Sequence, residues 1–244
     1  MKGCHNVSER FFLETPPAGS HATLRGDEAR HLARVMRAAV GDQVELFDGE
    51  GHSWNAAVRQ IGRAEVELEL LGDGTSDEDH QNGSGTLTIA AALPKGDRQK
   101  WMVEKLTELG CRRLIPLVTT RGVAEATPSA IARLTRASLE ACKQCRRNRL
   151  LAITEPTTLA AVLAEPPAGT LRLLADASGQ PAGSLLASRA DDCLVLIGPE
   201  GGFTEDERAA ALAAGFQAVC LAPHILRVET AAVALAAVAA TRAL

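Results

Sequence analysis

The chain has 244 residues, 46% of them hydrophobic, and carries 26 Lys and Arg against 30 Asp and Glu for a formal net charge of -4. That length accommodates one large domain, or a small domain plus a medium one, with a sizeable core. No apolar run reaches membrane-spanning length and MKGCHNVSERFF lacks the apolar stretch of a secretion signal, so a cytoplasmic protein with no membrane partner is expected.

In chain order, the stretch from Arg10 to about Gly72 holds strand-like runs such as DQVELFDG and EVELELLG together with one helical stretch, DEARHLARVMRAAVG, a pattern that suits a small β-barrel over residues 1–72. GDGTSDEDHQNGSG is polar, glycine-rich and without periodicity, so residues 73–85 read as a linker or mobile loop. Strand and helix patterns then alternate over residues 86–244: LTIAAAL, a helix from Asp97 to Leu109 with Met102, Leu106 and Leu109 on one face, RLIPLVT, a helix that Thr127 caps and Pro128 begins, LLAIT, a short helix near Thr158, TLRLLAD, CLVLI, QAVCLA and an alanine-rich helix from Glu229. Such alternation predicts an α/β domain with a mostly parallel sheet covered by helices.

Two segments of that second part interrupt an apolar run with Gly or Pro and restart as a helix: LIGPEGGFTEDE and LAPHILRVETA. Gly198, Gly201 and Gly202 remove Cβ atoms where the chain turns or a ligand approaches the backbone, and Thr204 with Glu207 forms a capping box for a helix that Gly215 closes. Gly-Pro and Gly-Gly also occur in plain strand-to-helix turns. There is no GK[ST] and no GxGxxG, so neither a phosphate loop nor a dinucleotide fingerprint is present.

Charge is unevenly spread. Residues 95–149 carry 13 Lys and Arg against 5 Asp and Glu, whereas the flanking parts are acidic. Local cationic surface, not whole-molecule charge, governs polyphosphate binding, so Lys95, Arg98, Lys100, Lys105, Arg112, Arg113, Arg121, Lys143, Arg146, Arg147 and Arg149 are candidates for RNA contact. The alternative for each is a solvated helix face. KQCRRNR favours RNA, because cations so crowded along a helix repel one another without anions. The six cysteines are scattered, the single CxxC of Cys142 and Cys145 has no second pair, and the histidines show no ligand spacing; reduced thiols and no metal are expected.

Taken together, RFF at Arg10 to Phe12, HLARVMR at His31 to Arg37, ALPKGDRQKWMVEKLTELG at Ala92 to Gly110 and the two glycine-interrupted segments resemble, in the same order, the bacterial 16S rRNA uridine-N3 methyltransferase family of the SPOUT class. The resemblance implies a SPOUT-type α/β knot, with a deep trefoil knot at the C-terminal end, behind a PUA-like β-barrel that grips RNA. It implies S-adenosylmethionine as cofactor, 16S rRNA or the small ribosomal subunit as partner, and a homodimer. Leu196, Gly198, Glu200, Gly201, Leu221, Ile225 and Leu226 would hold the cofactor, with backbone groups on adenine and ribose and aliphatic side chains about the ring. Arg227 would stabilise the ionising uracil imide, with Glu229 as proton acceptor or as a helix-start charge. Arg10, Arg34 and Arg37 would contact RNA phosphates from the barrel, and Lys95, Arg98 and Lys105 from the second domain. The chain departs from the family pattern at Pro223 and His224, and at Arg146 and Leu151, where Gly and Pro are common. A non-catalytic RNA-binding assembly factor and a methyltransferase acting on tRNA are the alternatives.

Overall fold

The computed structural model describes residues 9–76, 86–124, 126–164, 169–186 and 192–241, and the chain divides into two units: residues 1–82 with 142–150, and residues 83–141 with 151–244.

The first unit contains β1 (Arg10–Phe12), β2 (His21–Arg25), α1 (Gly26–Arg30), which continues into one wider helical turn over His31–Val35, then β3 (Gln43–Phe47), β4 (His52–Ile61), β5 (Glu65–Leu70) and β6 (Thr75–Ser76). Its strands pair in the order β1-β3-β4-β5-β2, with β6 on β4; β1 and β3 are parallel and the rest antiparallel. Alternation sets the faces: Val44 and Leu46 of β3 and Val66 and Leu68 of β5 enter a core with Phe11, Leu24, Leu32 and Val58, while Glu65 and Glu69 face outward and pair with Arg25 and Arg59. The helix is shorter than the sequence pattern suggests, because Arg37 takes a left-handed backbone (φ 54) that stops it. The start of the expected linker is ordered: Thr75 pairs opposite Ser53, and the two hydroxyls lie 2.8 Å apart. Residues 77–85 of that linker lie outside the described residues.

Residues 142–150 belong to this unit through charge pairing. Lys143 pairs with Glu28, Arg146 with Glu45 at 2.6 Å, and Arg149 with Glu50 at 3.7 Å. Arg146 itself has φ 63, the conformation glycine adopts most easily, so this departure from the family pattern keeps a left-handed turn without glycine.

The second unit runs β7 (Leu87–Ala91), α2 (Arg98–Glu108), β8 (Arg113–Val118), α3 (Pro128–Cys145), β9 (Ala152–Ile153), β10 (Thr157–Thr158), α4 (Leu159–Ala164), β11 (Leu171–Pro181), α5 (Ala182–Leu186), β12 (Cys193–Ile197), α6 (Glu205–Ala213), β13 (Gln217–Cys220) and α7 (Val228–Ala240). Every strand pairing is parallel, in the order β10-β8-β7-β12-β11-β13 with β9 on β8. Central β12 is buried on both faces, as its uninterrupted CLVLI run requires. Cys193, Val195 and Ile197 pack with Met102 and Leu106 of α2 and Leu235 of α7; Leu194 and Leu196 point the other way, toward Leu117, Leu174 and Phe216. The Thr127 cap is present, with Ala130 N donating to its Oγ1 at 3.3 Å. Among the described residues no helix is long and apolar enough to cross a membrane.

Candidate functional site

Parallel β12, β11 and β13 are neighbours, so the loops at their carboxyl ends meet at one edge of the second unit, the place where open α/β sheets hold ligands. They surround a cavity of about 580 Å³, within the range of small-molecule sites. Three chain segments wall it: Ala175 to Ser178, Ile197 to Phe203, and Val219 to Leu226 apart from Pro223, with Val228 and Ala231 of α7 closing the apolar side.

Local chemistry builds each wall. β11 bulges between Ala175 and Gln180 before it resumes pairing with β13. Gly179 is required there, because a Cβ would stand 2.3 Å from Ala218 C and Val219 N. In the second wall Gly202 has φ 68, and a Cβ on Gly198 would lie 3.0 Å from the Phe203 ring. A Cβ on Gly201 would touch the Arg121 stem at 3.4 Å, an ordinary packing distance, and Arg121 braces the loop from there. Arg121 Nη1 donates to the Gly201 carbonyl at 2.8 Å. The capping box forms as the sequence suggests, with Thr204 N donating to Glu207 Oε2 and Glu207 N to Thr204 Oγ1, and Thr120 N donates to the other Glu207 oxygen at 2.8 Å. Desolvation works against the ionised Glu207, yet the amides of Thr120 and Thr204 outweigh it and hold the carboxyl below its ordinary pKa. In the first wall Arg208 Nε donates to Asp176 Oδ2 at 2.6 Å and Ser178 N to Oδ1 at 2.8 Å; the Arg208 bond is the chief reason that Asp176 stays ionised below the usual carboxylate range.

Of the expected cofactor residues, Gly198, Glu200, Gly201, Leu221, Ile225 and Leu226 line this cavity. The side chain of Leu196 does not: it is buried on the opposite face of β12, because alternation along the strand sends it into the other core cluster. Asp176, Ser178, Arg208, Phe203 and Val219 line the cavity without having been singled out by sequence. The signal for the first two was available, since LADASG is a third strand broken at small residues.

Arg227 is exposed at the start of α7, between the cavity residues Leu226 and Val228. Glu229, 5% exposed, makes no helix cap; its Oε1 lies 3.4 Å from Arg98 Nη1, and its buried Oε2 has no hydrogen-bond partner. Burial and this pairing correct the expectation of an accessible proton acceptor. Arg98 also reaches Glu200 Oε1 at 3.4 Å through Nη2.

Several expected RNA contacts are corrected too. Arg10 is 5% exposed and donates to the carbonyls of Cys142 and Arg147 and to Asn148 Oδ1, with its guanidinium 4.6 Å from the Phe47 ring centre. Its Nε stands 3.1 Å from Glu45 Oε1, an ion-pair contact without hydrogen-bond alignment. Burial lowers its pKa, and the Glu45 carboxylate opposes the shift. A group so enclosed cannot reach a phosphate. Lys143 and Arg149, with side chains 13% and 12% exposed, are likewise turned to Glu28 and Glu50. The anions that KQCRRNR needs are supplied by protein carboxylates. Arg34, Arg37, Lys95 and Arg146 are exposed, Arg147 and Lys105 are half-buried, and Lys105 pairs with Glu108 at 2.6 Å. Arg121, though exposed, is occupied by the glycine loop.

The parallel α/β unit with its strand-end cavity, and the separate small β unit, match known families. The RNA methyltransferase domain matches residues 81–240, and the RNA methyltransferase PUA domain matches residues 24–71. The chain is therefore built as an RNA methyltransferase of the PUA-bearing kind. More narrowly, it belongs to the ribosomal RNA small subunit methyltransferase E family. It is 32% identical over 243 residues to the protein of that name from Mycobacterium bovis, covering 95% of this chain and 91% of the relative. It is 27% identical to the one from Bacillus subtilis, covering 91% and 92%. The crystal structure of ribosomal RNA small subunit methyltransferase E from Neisseria gonorrhoeae bound to S-adenosyl methionine superimposes with a TM-score of 0.83 at 28% identity, covering 96% of each chain.

Proposed function

We propose that this protein methylates N3 of a specific uridine in 16S rRNA, in the decoding region of the small ribosomal subunit, with S-adenosylmethionine as methyl donor. The observation that carries the reading is the cavity lined together by the strand-end loops of β11, β12 and β13. Its fit to the cofactor rests on chemistry in the walls: Val219, Leu221, Leu226 and Val228 offer an apolar enclosure for a planar base, while Glu200 and Glu205, beyond the ion pair of Asp176 with Arg208, leave the rim net anionic toward a sulfonium and an ammonium. Bound there, S-adenosylmethionine supplies an activated methyl group.

The chain's own residues meet the remaining demands. Uracil N3 lies between two carbonyls and bears a proton, so methylation requires both proton loss and stabilisation of the imide charge. Exposed Arg227 is the cation for that charge; a guanidinium does not release its proton at working pH, so it is no base. With Glu229 buried against Arg98, water takes the imide proton. An N3 inside a base pair is unreachable, so the target uridine is unpaired or extruded. The return of the chain from edge strand β13 to α7, which packs on α2, β7 and β12, supports the C-terminal knot that the family resemblance implies. Ala231, Ala232 and Ala236 are buried within the subunit, leaving the half-exposed Ala237, Ala239 and Ala240, with Ile225 at 91% exposure, as the apolar surface for a homodimer.

The test is methyl transfer from labelled S-adenosylmethionine to small subunits from a strain deleted for the gene, followed by mass mapping of the modified base. Methyl-N3-uridine at one position is expected. Modification of tRNA alone, or calorimetric absence of cofactor binding, refutes the proposal.

A further inference from the structure

Arg98 stands in the first turn of α2 with one guanidinium nitrogen on Glu200 of the glycine loop and another on Glu229 of α7, each at 3.4 Å. Both contacts are longer than the 2.7–2.9 Å typical of charge-assisted hydrogen bonds, so neither carboxylate has captured the cation. Their situations differ. Glu200 lines the cavity and is 39% exposed at the side chain, so water already solvates it. Glu229 is 7% exposed at the side chain, and its second oxygen has no partner. A buried carboxylate depends on its counter-charge far more than an exposed one does. Two anions therefore share one cation, and whatever draws Glu200 aside changes what Arg98 gives to Glu229.

We infer that Arg98 is a positioning residue that couples occupancy of the cavity to the start of α7, and through it to Arg227. The inference rests on the proposed cofactor reading. A ligand in the cavity lies against the loop from Gly198 to Phe203, which carries Glu200. Glu229 lies two residues after Arg227 in the first turn of α7, so a shift in its pairing moves the helix end that presents Arg227 to substrate. Arg98 thereby serves inside the second unit rather than on a phosphate.

The coupling is read in the full-length protein carrying Trp54→Phe, which leaves Trp101 of α2, three residues after Arg98 and 44% exposed, as the reporter. Titration with S-adenosylmethionine is expected to change Trp101 fluorescence in this protein and in its Arg98→Lys variant, and to leave Arg98→Gln silent while its calorimetric Kd stays within about threefold. Single-turnover transfer to unmodified small subunits should fall about 5- to 150-fold in Arg98→Gln, the usual span of coupling between sites, and recover in part in Arg98→Lys. An unchanged fluorescence response in Arg98→Gln overturns the inference, as does an equal loss of Kd and rate without recovery by lysine, the sign of a purely structural role. Cofactor binding without methyl transfer by the parent protein overturns the proposed reaction and leaves the fluorescence arm to decide the coupling. Absence of binding by the parent overturns both.

Discussion

Replacing Arg10 with Met should destabilise the β unit rather than weaken RNA binding. The guanidinium satisfies two backbone carbonyls, those of Cys142 and Arg147, and the Asn148 side chain, and lies against Glu45 and the Phe47 ring. Each hydrogen bond to a charged group contributes about 1.5–3 kcal/mol, but Arg146 remains to neutralise Glu45 from its other side, at 2.6 Å. The expected cost is thus that of breaking one buried pair, about 3–5 kcal/mol, rather than the sum of all the bonds. In a domain of this size each kcal/mol is worth roughly 4–8 °C, so the melting transition of the β unit should fall by at least about 12 °C. Trp54 of β4 belongs to this unit and Trp101 to the other, so urea or thermal melting followed by fluorescence in a Trp101→Phe background isolates the transition. Arg10→Lys should fail nearly as badly, because one ammonium cannot serve acceptors arranged around a fork. An unchanged midpoint with a loss of RNA affinity and of its salt dependence would refute the reasoning and return Arg10 to the phosphate backbone.

Other outcomes follow from the cavity walls. Gly179→Val should disrupt the β11 to β13 pairing, since its Cβ meets backbone at 2.3 Å; an unaltered melting profile and cofactor affinity would contradict this. Gly201→Val should abolish cofactor binding while leaving the fold largely intact, because it adds a branched side chain to the loop that lines the cavity, and calorimetry checks it. Arg121→Ala, losing the bond to the Gly201 carbonyl at an exposed position, should weaken cofactor affinity by about fivefold, the equivalent of about 1 kcal/mol, without reducing salt-dependent RNA binding. Asp176 has a folded pKa below its ordinary value, so its contribution to stability is fully present above the unfolded value of about 3.9 and is lost as pH falls through the folded one. The stability gap between the parent protein and Asp176→Asn should accordingly close as pH drops below about 4; a gap that persists at low pH would show that the bond to Arg208 is not electrostatic in origin.

The sequence disclosed most where one local signal dominated. The apolar run CLVLI suits a buried strand and forms the central parallel β12, and Thr204 with Glu207 specified a helix start that the structure reproduces bond by bond. The glycine segments likewise located two walls of the cavity. The third wall escaped because β11 is read through its bulge: Asp176 to Gly179 resemble an ordinary turn until β13 is laid beside them. The ten-residue β4 was hidden for a related reason, since a register shift between Val58 and Gln60 breaks its alternation.

Charge was the least legible property, because its meaning depends on partners distant in the chain. Lys143, Arg146 and Arg149 form a cationic run in one dimension, yet Glu28, Glu45 and Glu50 meet them 115, 101 and 99 residues away. Arg10, expected on RNA from the family resemblance, and Arg98, which also lies in the cationic stretch, are both shared between internal acceptors. With 30 carboxylates against 26 cations, sign alone does not mark an RNA contact, so the RNA surface is sought among cations whose heads remain in water, Arg34, Arg37 and Lys95 among them. Replacing these three by Gln should lower the salt dependence of RNA binding by up to about three phosphate contacts while sparing cofactor affinity. The same measurement on Lys143→Gln should show almost no change in slope, because that cation is already held by Glu28. A reversal of the two results would mean that the internal pairs open on RNA, and that the cationic run is a latent binding surface rather than a structural one.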